Sequence, residues 1–313
     1  MENRNVHLLL CCNRGYVQHL AVLLVSLARR NRDLTFHCVV VSGDDLGEER
    51  GRLLGSLNDC PNVRLRLHRF RVPESLGLPV RAHYALDNYA RLWVADFFDG
   101  TVEKVLYLDC DMVVLGSLRG LWNADLQGHL LGAVSIPGST RCAVLGIPEA
   151  HGYFNSGVML IDLAQWRASR AFETVIAYAT GHRALLHDVD QDALNACFHD
   201  RRAVLAPIWN GISPFYFDYH PLGLDAEALA RFRHDVKIVH FNGASKPWSY
   251  TCRHPRKREY DRILALTRWR HVPPPDRTLF NRLKTLAWWI APPALWRWAR
   301  RLQPGRGEAI PAR

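Results

Sequence analysis

The stretch VLYLDCDMVVLGSL (residues 105–118) ends an apolar run on two aspartates, Asp109 and Asp111. Residues 105–108 read as a buried strand, and a charge at the tip of such a strand is costly unless something pairs with it. Two carboxylates one residue apart repel each other, so a cation is the natural partner. In a regular strand residues i and i+2 share a face, which would let both side chains reach one hard divalent ion. The competing explanation is a solvated strand-to-loop turn, where aspartate is common.

Strands and helices alternate on the way to this motif. VHLLLCC (6–12), FHCVVVS (36–42) and VRLRLHRF (63–70) read as strands, the last strictly alternating and half exposed. QHLAVLLVSLARR (18–30) and EERGRLLGSL (48–57) read as helices, and ALDNYARLWVADFF (85–98) as an amphipathic helix leading into the opening motif. This order predicts an α/β domain with a mostly parallel sheet, whose ligands bind at the carboxyl ends of strands. Farther on, YFNSGVMLIDL (153–163) reads as a strand running into one helix over 164–182. DQDALNACF (190–198) starts another helix, and VKIVHFNG (236–243) is a strand ending in a glycine loop.

The chain has 313 residues and a formal charge of +10, unevenly spread. Residues 253–313 carry fifteen Lys and Arg against four Asp and Glu, a net of +11, so the rest is nearly neutral. That asymmetry points to a localised anionic partner. In this tail Leu279, Leu283, Leu286 and Ile290, then Leu295, Trp298, Ala299 and Leu302, follow helical spacing among arginines and tryptophans. Such a composition suits a helix lying on an anionic membrane surface rather than one that binds nucleic acid. The alternative is a helix pair docked on the body. HVPPPD (271–276) is a stiff break, and residues 251–313 are expected to form a basic amphipathic region appended to a catalytic region, 1–250. The eight cysteines show no C-x-x-C spacing and read as reduced thiols of a cytoplasmic protein. With no apolar run of about 20 residues, a spanning helix is not expected, and the expected location is peripheral, on the inner face of the cell membrane.

HFNGASKPW (240–248) supplies what the acidic motif lacks. His240 ends an apolar strand and imidazole is a ligand for Mn²⁺-type metals. Gly243 lets backbone approach a phosphate, and Lys246 brings charge to it. Together YARLWVADFF, VLYLDCDMVVLGSLRGLW, YFNSGVMLIDLAQW, DVDQDALNACF and HFNGASKPW resemble glycosyltransferase family 8. The resemblance covers most of residues 6–250 and is nearest to bacterial enzymes that add galactose or glucose to lipopolysaccharide or lipooligosaccharide core.

The resemblance implies a GT-A nucleotide-diphospho-sugar fold, a UDP-galactose or UDP-glucose donor bound with Mn²⁺ (or Mg²⁺), a lipid-linked saccharide acceptor, and transfer with retention at the anomeric carbon. It implies that Asp109, Asp111 and His240 hold the metal, with Cys110 between the two acids in the donor site. Gly243 and Lys246 would contact the diphosphate, and Arg91 the donor sugar and phosphate. Asn155 and Asp190 would bond sugar hydroxyls, and Gln191 would lie beside the anomeric carbon as the catalytic neighbour of Asp190. Taken alone, Arg91 reads as a helix-surface charge, Asn155 as a turn residue and Asp190 as a helix cap. The chain departs from the family at NRGY (13–16), where relatives carry an acidic pair. Tyr16 can still stack on a base, and Asn13 can offer an amide oxygen to uracil. Because Gln191 is an amide, a poor nucleophile, front-face attack by the acceptor hydroxyl is expected.

Two rivals remain at this stage. LYLDCDMV (106–113) fits the motif of haloacid-dehalogenase-type phosphohydrolases, with Asp109 as nucleophile and Asp111 as acid/base. A non-catalytic sugar-nucleotide-binding protein would use the same residues without turnover.

Overall fold

Apolar alternation in the first third of the chain becomes three parallel strands in register: β1 (Asn5–Cys11), β2 (Thr35–Ser42) and β3 (Val63–Arg69). The computed structural model describes residues 4–80, 86–217, 225–243 and 245–290. The chain then returns to the other side of β1, where β4 (Lys104–Leu108) pairs parallel to it. The reversal makes a topological switch point at the carboxyl ends of β1 and β4, the place where open α/β sheets bind ligands.

β7 (Phe154–Asp162) lies antiparallel to β4, and β6 (Leu131–Ser135) antiparallel to β7, with β8 (Arg202–Val204) at the edge. The order β3-β2-β1-β4-β7-β6-β8 is that of a mixed sheet whose first four strands are parallel. A two-stranded sheet of β5 (Met112–Val114) and β9 (Ile238–His240) stands apart, with Met112 opposite His240. The helix Val17–Arg30 is buried along nearly its whole length. It holds β5 in place, since Ser26 Oγ accepts from Val114 N–H at 3.0 Å and Asn31 Oδ1 from Leu118 N–H at 2.6 Å.

Three local expectations are corrected. The segment Leu86–Phe97 is a succession of 3₁₀ turns kinked at Trp93, not an amphipathic α-helix. Three of its carbonyls also accept from arginines: Arg91 Nε, within the segment, bonds Asn88 O, Arg66 bonds Phe97 O and Arg167 Nη2 bonds Ala95 O at 3.4 Å. The helix expected over 164–182 is two helices, Leu163–Ala168 and Ala171–Gly181, because Arg170 adopts a left-handed φ of 51° between them. Asp109 and Asp111 are not on a strand face but in the turn between β4 and β5.

Beyond residue 250 the chain still packs on the body. Tyr260 and Trp269 are buried, and Tyr260 O–H meets His19 Nδ1 at 2.7 Å. The helix Leu279–Ile290 differs: Leu279, Phe280, Leu283 and Leu286 are 71%, 73%, 57% and 55% exposed, so the body does not cover these four side chains. The second half of the expected tail, 291–313 with Leu295, Trp298, Ala299 and Leu302, lies outside the described residues. All eight cysteines are free thiols.

Two buried imidazoles tie this packing to pH. Burial pushes His19, stacked on Trp248 at 3.5 Å, down to about 3. Burial, with Arg256 adding to it, does the same to His254 among Tyr216, Phe217 and Phe241. The unfolded chain therefore binds protons below 6.5 that the folded chain refuses. Their contribution to stability is fully present above 6.5 and is lost as pH falls toward 3, at up to about 1.4 kcal/mol per pH unit for each ring. Urea unfolding should show stability declining across this window, with a shallower decline, by up to about one proton, in His254→Phe.

Candidate active site

The site is assembled by strand pairing. Asp109 N–H donates to Gly157 O at 2.9 Å, extending the β4–β7 register by one residue, and Phe241 N–H donates to Asp111 O at 2.9 Å, extending β5–β9. The register of β6 on β7 jumps from Ala133 opposite Met159 to Val134 opposite Asn155, leaving Ser156, Gly157 and Val158 without partners on β6. A bulge of this kind re-aims side chains, and here it sits beside the acidic turn.

Asp109, Asp111 and His240 come together with ligand atoms within 4.8 Å of one another. His240 Nε2 lies 3.2 Å from Asp111 Oδ1 and 3.6 Å from Asp109 Oδ2. The second oxygen of each carboxylate is occupied. Asp109 Oδ1 accepts from Tyr107 O–H at 2.7 Å and pairs with Arg91 Nη2 at 3.1 Å; Asp111 Oδ2 holds Lys246 Nζ at 2.6 Å. Burial pushes the Asp111 carboxyl up, but the Lys246 ammonium and His240 outweigh it and hold it below the usual carboxylate range. Two carboxylate oxygens and one imidazole nitrogen thus face a common point, a donor set suited to Mn²⁺ or Mg²⁺. The wall is kept open by Gly157, where a Cβ would lie 2.4 Å from His240 Cε1 and 2.7 Å from Asp109 Oδ2. The residues present fit a divalent ion.

Around this core stand the other expected residues. Arg91 is buried, not a surface charge. It bridges Asp109 and Asp190, at 3.1 Å from each, and bonds Ser156 O and Oγ at 3.2 Å. Burial raises the Asp190 carboxyl to about 6 despite Arg91. Asp190 follows Val189, a β-branched residue at φ 33°, so the backbone presenting it is strained. Asn155 Nδ2 donates to Gln191 Oε1 at 2.9 Å. Lys246 Nζ also donates to Phe241 O at 2.7 Å and lies 5.6 Å from the Trp248 ring. Trp248 meets Tyr16 edge-on at 5.5 Å, placing Tyr16 at the same mouth. A Cβ on Gly243 would lie 2.8 Å from Ser213 Oγ.

Two residues play parts other than those expected. The Cys110 thiol turns inward and donates to Cys11 O at 3.1 Å, because side chains alternate along the acidic turn, so it takes no part in the cluster. Asn13 Oδ1 accepts from Tyr16 N–H at 3.1 Å, capping the short helix that carries Tyr16. Tyr107, His19 and Asn210 join the site beyond the expected residues. Nothing marks Asn210 in PIWNG (207–211), which reads as a plain loop.

Comparison with known proteins accords with this geometry. The sequence profile described as Glycosyl transferase family 8 matches residues 7–252. General stress protein A of Bacillus subtilis is 28% identical over 282 residues, covering 85% of this chain and 96% of that protein. A lipopolysaccharide 1,2-glucosyltransferase of Escherichia coli is 26% identical, covering 83% and 78%. The crystal structure of galactosyltransferase LgtC with donor and acceptor sugar analogs superposes with a TM-score of 0.73 at 24% identity, covering 84% of this chain and 96% of that one, and shares its GT-A fold. A phosphohydrolase motif confined to residues 106–113 leaves a match of this length unaccounted for, and the chain belongs to glycosyltransferase family 8.

Proposed function

We propose that this glycosyltransferase moves a hexose, galactose or glucose, from a UDP-sugar to a lipid-linked saccharide of the lipopolysaccharide-core type, with retention, at the inner face of the membrane. The observation that carries the reading is the convergence of Asp109, Asp111 and His240 at a switch point lined by Arg91, Asn155, Asp190, Gln191 and Lys246. The acceptor class follows the printed activities of relatives, among them lipopolysaccharide 1,2-glucosyltransferase and, in Salmonella typhimurium, 1,3-galactosyltransferase.

A divalent ion held by Asp109, Asp111 and His240 would supply Lewis-acid stabilisation of the charge that builds on the departing diphosphate. Lys246 adds a positive charge beside that point and Gly243 offers close backbone approach. Arg91, fixed by two carboxylates, keeps its guanidinium at the junction of metal and sugar sites. Gln191 Oε1 accepts from Asn155 Nδ2 and from Ser156 N–H, so its lone pairs are engaged and it is a poor nucleophile. Attack therefore comes from the leaving-group face. The acceptor oxygen bonds the anomeric carbon, the sugar–phosphate bond breaks with its electron pair passing to the leaving diphosphate oxygen, and that departing phosphate oxygen takes the proton lost by the acceptor hydroxyl. Tyr16 is assigned to the base and Asn155 and Asp190 to sugar hydroxyls.

The deciding experiment screens UDP-sugars with Mn²⁺ and saccharide acceptors, scored by UDP release and product linkage. Acceptor-dependent UDP release removed by chelation is expected. Tight nucleotide-sugar binding with no turnover under any acceptor would favour a binding protein instead. Asp111→Ala should lower UDP release at least about a hundredfold. Gly157→Ala should do nearly the same without replacing a ligand, because its Cβ would occupy the space of His240 Cε1 and Asp109 Oδ2; near-normal turnover there would contradict the tight-wall geometry.

Membrane attachment is assigned to the basic C-terminal region. Among the described residues no helix is long and apolar enough to cross a membrane, whereas Leu279, Phe280, Leu283 and Leu286 lie exposed on one helix. Deleting residues 280–313 should reduce sedimentation with anionic vesicles and spare UDP-sugar binding. Unchanged sedimentation rejects the assignment.

A further inference from the structure

A neutral imidazole binds a cation through one nitrogen only, and its proton must then sit on the other. Nε2 of His240 faces Asp111 Oδ1 at 3.2 Å and Asp109 Oδ2 at 3.6 Å. Left to those two carboxylates, the single proton of a neutral ring would settle on Nε2 and block the nitrogen an ion needs. Rotating the ring is no escape, because its Cε1 edge lies against Gly157, where even a Cβ would come within 2.4 Å.

The opposite nitrogen decides the matter. Nδ1 lies 3.0 Å from Oδ1 of Asn210, a fully buried residue. Asn210 is not free to turn its NH₂ toward the ring, since Nδ2 donates to Asn155 Oδ1 at 2.8 Å. Asn155 Oδ1 also accepts from Gly157 N–H at 3.1 Å, while Asn155 Nδ2 donates to Gln191 Oε1. That oxygen accepts from Ser156 N–H at 3.0 Å. Gln191 Nε2 donates to Tyr153 O–H at 3.0 Å, and Tyr153 donates to Asp192 Oδ1 at 2.7 Å. Every donor in this chain points the same way, from the imidazole toward Asp192. Its direction is fixed at three places: a backbone N–H can only donate, and an ionised carboxylate can only accept.

We propose that Asn210 is a positioning residue for the metal ligand: it holds the His240 proton on Nδ1 and so keeps the Nε2 lone pair aimed between Asp109 and Asp111. Outer partners of this kind fix the tautomer of metal-binding histidines. The inference rests on the metal reading of the triad, and it adds a residue that lies in no sequence motif. The same amide chain contains Asn155 and Gln191, so the metal ligand and the residues assigned to the sugar are oriented by one set of hydrogen bonds.

The test is ¹⁵N NMR of the histidine-labelled full chain, treated with EDTA, in alkaline buffer where imidazole is neutral. The His240 signals are assigned by their loss in His240→Gln. Wild type should carry its proton on Nδ1. In Asn210→Ala the proton should move to Nε2, and Mn²⁺ affinity measured in the presence of UDP should fall about 10–100-fold. Asn210→Asp keeps an acceptor toward the ring and should restore both the tautomer and most of the affinity. A wild-type ring protonated on Nε2 overturns the proposal whether or not any variant folds. So does a folded Ala variant with unchanged tautomer and affinity, or a folded Asp variant as impaired as Ala. Wild type that carries the Nδ1 proton yet binds no Mn²⁺ overturns the metal reading alone.

Discussion

The concentration of negative charge at the carboxyl end of β4 is the constraint around which this molecule is built. Asp109, Asp111 and Asp190 are gathered there against two permanent cations, Arg91 and Lys246. In a partly buried setting such an imbalance is tolerated only with close pairing. One oxygen of Asp109 and one of Asp111 are neutralised from the protein side, by Arg91 and Lys246 respectively. The other oxygens face His240 and a shared gap. A divalent cation placed in that gap reverses the sign of the cluster and makes it a host for a diphosphate. Carboxylates paired with arginine and lysine alone would make a structural ion-pair network; the imidazole turned toward both remaining oxygens makes this one a candidate ligand set.

Holding that cluster in place falls to the sheet rather than to the loops. The β4–β7 ladder delivers Gly157 beside Asp109, and the β5–β9 pair delivers His240 beside Asp111. The bulge in β7 frees Ser156 from β6 beside Asn155, and the two side chains serve Arg91, Asn210 and Gln191. Strand ends move less than loops, and the reactive groups therefore share the rigidity of the core. Within the site, the left-handed φ of Val189 strains the backbone beside Asp190, and Asp192 opposes it. That carboxylate accepts from the backbone amides of His187 and Asp188 and pairs with Arg141.

Much of this architecture is legible in the chain itself. The parallel half reads directly, because β1 and β2 are buried apolar runs and β3 alternates. The three candidate ligands are legible as residue types at strand ends, although the geometric reason differs: Asp109 and Asp111 converge through a turn and a second small sheet, not through one strand face. Pairing between Met112 and His240, 128 positions apart, leaves no local signal. The segment Leu86–Phe97 has helical periodicity, yet Arg66 and Arg167 from elsewhere capture carbonyls of it, a tertiary override that no window of sequence contains. Asn210 is illegible for the same reason, since its function lies in bonds to His240 and Asn155, 30 and 55 residues away.

The region after residue 250 divides by the same test of contact. Tyr260 reaches back to His19, which stacks on Trp248, which meets Tyr16 and Lys246. That chain of rings makes the helix Lys257–Leu264 part of the wall behind the loop that carries Lys246, and shifts at Tyr260 would be felt there. The helix Leu279–Ile290 has no such tie through Leu279, Phe280, Leu283 or Leu286, which leave large apolar side chains in water. A monomer gains nothing from that arrangement, because burying each of those side chains is worth about 1.5–3 kcal/mol. Set among the basic residues that give this end of the chain its entire excess charge, those side chains support the membrane attachment proposed for this end of the chain. A site for a nucleotide sugar in a nearly neutral body, joined to an apolar and cationic end, suits an enzyme whose second substrate is confined to a membrane.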